Sequence, residues 1–313
     1  MKLEYVNIFV ANHYENGVVL QDFIDLIRYE LDDLNIPCVV TQNLMTDAVN
    51  IIFEDFSFPA LIQKLYEQFQ PNDPRLVVVA TEVIRDGVFN SMGSIDQDMQ
   101  SGHYQSGSEM WLKRTNSFNM VAKLFSTVLC PAEQIYSSHL SCFPEYADRV
   151  RYWPIRYKKQ IANRAISWPK ATRKIVDFSF TGSLTPYREA CLDKIRGLGY
   201  SVDIKVGHSA EFLRMSCAQQ SHFLLALKHY PNTDLLSKMR VWWALNNHFP
   251  MLVESYPEQT DFDEFLITFN DLNDLIEVAH GFSQVTLDEN IDRYSKWSNK
   301  QDNPLRFLEN SMR

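Results

Sequence analysis

Two stretches in the second half of the chain set cations, cap residues, a glycine and a carboxylate at spacings suited to holding an anion. In FTGSLTPYRE (Phe180–Glu189), Gly182 allows a tight main-chain turn after a strand and a close approach to a ligand. Thr185 is an N-cap residue type and Pro186 stands where the first helical residue belongs, so a helix is expected to start here. Such a helix presents free N–H groups and its positive dipole end at the strand's carboxyl edge, where a phosphate would sit, and Arg188 in the first turn could reach it. An ordinary well-capped βα turn reads the same way, because one Gly is far less specific than a GxGxxG array.

The second stretch is HYPNTDLLSKMRVWWALNNHFPMLVES (His229–Ser255). It reads as a strand end, a polar turn, a helix over Leu235–Asn246, a second turn and a strand over Met251–Glu254. Asn232, Thr233 and Asp234 are cap residues, with Lys238 and Arg240 close behind. Cations near a helix N-terminus oppose the dipole and become sensible when an anion lies there. Leu235, Met239, Trp242 and Leu245 mark the buried face, which makes the tryptophans core residues before ligand stackers. Asn246-Asn247-His248 closes the helix, Asn being a usual left-handed residue at that position. Glu254 at the strand end can accept two hydrogen bonds from a sugar or ribose diol; a solvated strand-end Glu is the plainer alternative.

These residues need a parallel sheet behind them, and both halves of the chain supply the pattern. Short apolar runs at Tyr5–Ala11, Pro37–Thr41, Ala48–Phe53 and Arg75–Val83 alternate with amphipathic segments at Val18–Leu34, Pro59–Phe69 and Met110–Ser126. RLVVVATEV is nearly continuous, as in a strand buried on both faces. The alternation restarts at Ile175 and runs through Tyr200–Val206, His222–Leu227, Met251–Glu254 and Phe265–Phe269. The expected fold is α/β, with two Rossmann-like domains facing a central cleft. The first domain spans 1–157 and a basic linker 158–174. The second spans 175–313, with its last helix free to pack back on the first. Asp86–Gly107, rich in Gly, Ser, Asp and Gln, reads as a long binding loop or lid.

With 313 residues, two domains are expected. The 30 basic and 39 acidic residues give a net charge of −9, which argues against a general nucleic-acid binder but leaves room for a local basic site. MKLEYVNIFVANHYENG carries charge in its first apolar run and reads as a strand rather than a signal peptide. No apolar run is long enough to span a membrane, although contact with a membrane surface stays open. Cys38, Cys130, Cys142, Cys191 and Cys217 are scattered without a CxxC pair, which suits reduced thiols in a cytoplasm and no zinc. The absence of GxGxxG and GxxxxGK[ST] disfavours a standard dinucleotide enzyme or a P-loop ATPase.

The order of strand, FTGS turn and helix, followed by SKMRVWWALNNHFPMLVE, resembles the nucleotide-sugar domain of GT-B-fold glycosyltransferases. Many of these carry a pattern like K-x-R-x-x-E-A-L-x-x-G-x-P-x-[IV]-x-[ST]-[DE]. Lys238, Arg240, Ala244, Leu245, Pro250, Val253 and Glu254 match this frame, whereas Trp243 replaces the usual donor-contacting Glu and His248 the usual Gly. The resemblance covers about 140 residues of the second half. It implies that Gly182, Ser183 and Thr185 lie by the donor phosphates, that Lys238 and Arg240 neutralise them, and that Glu254 holds ribose or sugar. The implied donor is a nucleotide sugar, used as a co-substrate with no bound metal or other cofactor. Asp96-Gln97-Asp98 imitates the metal-binding DxD of another glycosyltransferase fold, but in the wrong half.

The first half should then bind the acceptor, a glycan, a lipid-linked sugar or a protein hydroxyl. Glu82 follows the buried strand LVVVAT and emerges at the sheet's carboxyl edge, which makes it the leading candidate for the base of an inverting transfer. His103 and His13 compete for that role or for acceptor binding. Glu54, after NIIF, has the same strand-end position and could bind acceptor hydroxyls. In a retaining reaction Glu82 would become a binding residue. The rival readings are a non-catalytic two-lobed binding or scaffold protein derived from the same fold, and a sugar-nucleotide epimerase.

Overall fold

The computed structural model describes residues 4–12, 20–90, 107–161, 173–206, 211–231, 236–257 and 260–312. The chain forms two compact units, Met1–Pro154 with Asp302–Arg313, and Ile155–Gln301. Unit 2 therefore begins ahead of the expected linker. The reason lies in side chains that hold residues 155–158 to that unit: Tyr294 donates to the Ile155 carbonyl at 2.6 Å, Trp242 Nε1 to the Arg156 carbonyl at 2.9 Å, and the Lys158 N–H donates to Asn246 at 2.6 Å. Residues 162–172 of the expected linker lie outside the described residues. The C-terminal residues belong to unit 1, where Asn303 donates to the Glu30 carbonyl at 2.7 Å and Arg151 lies 5.0 Å from the Phe307 ring.

Unit 1 is built on six parallel strands in the order β2-β1-β3-β4-β7-β8. They are β1 (Val6–Phe9), β2 (Cys38–Thr41), β3 (Val49–Phe53), β4 (Asp73–Val79), β7 (Phe125–Cys130) and β8 (Val150–Tyr152). The intervening pair β5 (Ile84–Arg85) and β6 (Val88–Phe89) forms a small antiparallel hairpin. The central strands VNIIF and RLVVV are buried almost throughout, as expected for a sheet covered on both faces. Helices α1 (Gln21–Asp32), α2 (Pro59–Gln68), α3 (Gly107–Ala122) and α4 (Glu133–Cys142) connect and cover the strands. Helix α3 ends before the expected Ser126, because Phe125 and Ser126 pair into β7 and Phe125 is fully buried.

An aromatic group of Phe89, Phe118 and Phe143 surrounds His139, with ring centroids 6.0, 5.6 and 5.6 Å away. Burial holds the His139 imidazole neutral and pushes its pKa down to about 4, against a smaller opposing pull from the Glu82 main chain. An unfolded histidine protonates below about 6.5. The stabilising effect is therefore present above that pH and is lost as pH falls through about 4. Urea unfolding at pH 7 and pH 4.5 should register this loss, on the order of 3 kcal/mol at its limit, and His139→Phe should flatten it.

Unit 2 repeats the plan with five parallel strands in the order β10-β9-β11-β12-β13. These are β9 (Val176–Gly182), β10 (Val202–Val206), β11 (Ser221–Ala226), β12 (Met251–Glu254) and β13 (Ile267–Phe269). Helices α5 (Pro186–Gly197), α6 (Glu211–Gln220), α7 (Lys238–Asn246), α8 (Leu272–Gly281) and α9 (Gln284–Ser298) follow, and α10 (Leu308–Met312) lies in unit 1. Phe178, Phe180, Leu192, Ile195, Leu225, Leu252 and Leu275 make the core. Both sheets start from an inner strand and reverse direction, between β1 and β3 and between β9 and β11. Ligands of open α/β sheets bind beyond the strand carboxyl ends at such a reversal.

Candidate functional site

The reversal in unit 2 is where the FTGSLTPYRE residues lie. Gly182 ends β9 with φ +135°, a backbone conformation open to glycine. Thr185 caps α5 as expected: its hydroxyl accepts from the Arg188 N–H at 3.3 Å and donates to the His229 carbonyl at 2.7 Å, with Pro186 at the first turn. Helix α5 thus aims its N-terminus at the gap between the ends of β9 and β11.

Two guanidinium groups share one aromatic ring at this edge. Arg188 and Arg240 lie 5.3 and 5.6 Å from the Phe180 ring centroid. Arg240 presses on the turn so closely that a Cβ on Gly182 would stand 2.6 Å from one of its nitrogens. Arg188 is buried, and its guanidinium donates at 2.9 Å to the carbonyls of Ser183, Leu227 and Lys228. Arg188, expected to reach a phosphate, is here engaged by three main-chain carbonyls. It sews the end of β11 to the β9 turn and adds positive charge from beneath. Arg188→Ala should destabilise unit 2 by about 3 kcal/mol or more, because three carbonyls lose a charged donor, and Arg188→Lys should recover only part. Denaturant unfolding of the three proteins measures it.

Glu254 ends β12 buried and restrained. One oxygen accepts from the Tyr187 hydroxyl and the other from the Lys228 N–H at 2.8 Å. Burial, and then the bond to Glu254, push the Tyr187 phenol far up, so it stays a donor. His229 is pushed down to about 4 by burial and then by the charges of Arg188 and Arg240. Tyr256 is pushed up to about 12 by burial, with the same two arginines opposing, and Lys228 lies 5.7 Å from its ring. Tyr187, His229 and Tyr256 were not singled out in the sequence. The signal was positional: Tyr187 lies in the capped first turn, and His229 and Tyr256 lie three and two residues past the ends of β11 and β12.

Lys238 departs from its expected role. It is 4% exposed and ion-paired to Asp261 at 2.6 Å, with its ammonium 5.5 Å from the Phe262 ring. Helix α7 starts at Lys238 with Ser237 at the cap, three residues later than expected, and Asn232–Asp234 lie outside the described residues. Trp243 is buried and stacks on Phe249 at 5.7 Å, with Arg214 over its ring at 5.0 Å. His248, not an asparagine, takes the left-handed conformation after α7, with φ +58°.

At the edge of unit 1, Glu54 and Glu82 meet through Arg114. Glu54, expected to bind acceptor hydroxyls, lies at the end of β3 with its side chain 1% exposed. Its carboxylate accepts from the Thr81 N–H and hydroxyl, the Glu82 N–H at 3.3 Å and Arg114 Nη2 at 3.3 Å. Glu82 is 21% exposed and accepts from Asn90 Nδ2 and from Arg114 Nη1 at 3.5 Å. Burial and the Glu82 charge push Glu54 up to about 8, while Arg114 and Thr81 pull it down. Arg114, inside α3, carried no signal in the sequence. His13, His103 and Asp96–Asp98 lie outside the described residues. Among the described residues, no three His, Cys, Asp or Glu side chains converge as a metal site.

No protein-family model matches the sequence, and no curated protein matches it. Solved structures do. The T4 phage BGT in complex with UDP and Mn2+ is similar at a TM-score of 0.52 and 11% identity, over 100% of this chain and 99% of that one. A UDP-glucose: anthocyanidin 3-O-glucosyltransferase in complex with UDP reaches 0.43 at 9% identity, over 100% and 99%. Accessory secretory protein 1, 2 and 3 of Streptococcus pneumoniae reaches 0.44 at 9%, over 93% and 56%. At 11% identity the first likeness is one of fold, and with two parallel sheets of reversed order it gives this chain the two-Rossmann architecture of the GT-B glycosyltransferases.

Proposed function

We propose that this protein is a glycosyltransferase that moves a sugar from a nucleotide-sugar donor to a hydroxyl of a glycan, lipid-linked or protein acceptor. The observation that carries the reading is the packing of Arg240 on Gly182 and Phe180, beside the N-terminus of α5. Glycosyl transfer leaves negative charge on the departing nucleoside diphosphate. A preset guanidinium and a helix N-terminus offset that charge as it develops. Glu254, fixed by Tyr187 and Lys228, keeps acceptor capacity for a ribose or sugar hydroxyl. The fold neighbour from T4 phage was solved with UDP and Mn2+, which supports a nucleoside diphosphate as the leaving group. We propose that Arg240, the Arg188 charge and the helix end let this chain work without a metal. Five free cysteines suit a reducing compartment such as the cytoplasm, and no helix among the described residues is long and apolar enough to cross a membrane.

A thermal-shift panel of nucleotides and nucleotide sugars, each with Mn2+ and with a chelator, tests the reading. A ligand at a hundred times its Kd should stabilise the protein by about 2.7 kcal/mol. The expected result is a shift with one nucleotide family, retained in chelator and lost in Arg240→Ala. A shift only with metal would overturn the metal-free part. Silence across the panel would favour the second reading, a non-catalytic binding or scaffold protein. Its support is Trp243, committed to packing on Phe249 where related patterns have a donor-contacting Glu.

A further inference from the structure

Unit 1 contains a carboxylate arrangement that the donor site does not explain. Thr81 and Glu82 follow β4, and Glu54 holds this turn by accepting from the Thr81 N–H, the Thr81 hydroxyl and the Glu82 N–H. The main chain that carries Glu82 is therefore fixed by a buried carboxylate on the neighbouring strand. Arg114 reaches across from α3. Its Nη2 lies 3.3 Å from Glu54, its Nη1 3.5 Å from Glu82 and its Nε 3.9 Å from Asp55, and its guanidinium stacks 4.9 Å from the Trp111 ring. Asn90, just past the β5–β6 hairpin, holds the other Glu82 oxygen. Glu82 is thus restrained on both oxygens and remains the more open of the two glutamates, 21% exposed against 1%.

We propose that Arg114 and Glu54 are positioning residues that aim the Glu82 carboxylate. This rests on the reading of Glu82 as the base that takes the acceptor proton. A base of this kind must point in one direction and stay unprotonated until the hydroxyl arrives. The titratable groups around Glu82 are Glu54, Asp55 and Arg114, with the Cys130 thiol close enough to feel Glu54 and the His139 imidazole against the Glu82 main chain. Three carboxylates share one guanidinium, and Glu54 is the most buried of them. Burial and Glu82 push Glu54 up to about 8. At neutral pH the Arg114 charge then serves Glu82. When Glu54 ionises above about 8, it competes for Arg114 and repels Glu82.

The sign for stability follows. Glu54 binds its proton more tightly folded than unfolded, so its contribution is full below the unfolded value of about 4.3 and is lost as pH rises through about 8. Glu54→Gln, which mimics the protonated form, should resist denaturant better than wild type above pH 8 and behave like it near pH 5.

The test uses the full chain with Arg114→Met, Arg114→Lys and Glu54→Gln. Arg114→Met should lower kcat by about tenfold or more while leaving the donor KM nearly unchanged, and Arg114→Lys should fall between. Glu54→Gln should remove an inflection near pH 8 from the kcat profile. Folded variants that keep the wild-type kcat and pH profile would overturn the proposal. If the wild-type protein transfers no sugar, the reading of Glu82 as a base fails, and isotope-edited infrared titration of Glu54 still decides the placement. Glu82→Gln should move that titration down and Arg114→Lys should leave it near the wild-type position. Arg114→Met should move it up, and no movement in either Gln or Met variant would overturn the coupling.

Discussion

Gly182→Ala should weaken nucleotide binding by about ten- to a hundredfold and destabilise unit 2 by about 1–3 kcal/mol. Two independent constraints meet at this residue. Its φ of +135° is a conformation that a side chain strains. The added Cβ would also stand 2.6 Å from an Arg240 nitrogen. Arg240 is the flexible partner, so it yields and leaves the position where, under the proposed function, its charge meets the diphosphate. The binding loss should then match that of Arg240→Ala, whereas the stability loss belongs to Gly182 alone. In a double-mutant cycle the two substitutions should be strongly non-additive for binding and nearly additive for stability. Calorimetric titration with the nucleotide found in the thermal-shift panel, and denaturant unfolding of all four proteins, provide the readouts. Wild-type affinity in Gly182→Ala would sink the link between the glycine and the cation.

The same pair of cations marks how far the sequence could be read. Lys238 and Arg240 look equivalent in a linear motif, but residues two apart on a helix point to different sides. Lys238 accordingly turns to Asp261 and Phe262, and Arg240 to Gly182 and Phe180. Helical geometry already contained that division. Thr185 and Pro186 were legible because capping is local chemistry, and β3 and β4 because a strand buried on both faces has a nearly unbroken apolar run. Arg114 was not legible. Its partners lie 60 and 32 residues away along the chain, and nothing in the α3 sequence distinguishes it from a surface arginine. The roles of Glu54 and Glu82 parted for a similar reason. Both follow apolar strands, and only the packing decides that one is enclosed and the other left partly open.

That difference gives the largest expected effect on turnover. Under the proposed function, Glu82→Gln should lower kcat by about 10²–10⁴, the usual contribution of a positioned general base. The amide keeps the shape and can still accept from Asn90 or Arg114, but it cannot take a proton from the acceptor hydroxyl. Donor affinity should stay at the wild-type value, since the donor residues Gly182, Arg240 and Glu254 lie on unit 2. The loss should therefore appear in kcat with the donor KM nearly fixed. Slow hydrolysis of the donor by water should suffer less than transfer, because the departing diphosphate is still stabilised by Arg240. Comparing transfer and hydrolysis in wild type, Glu82→Gln and Arg240→Ala resolves the two contributions, with the first variant losing transfer selectively and the second losing both. If Glu82→Gln transfers sugar at the wild-type rate, Glu82 is not the base.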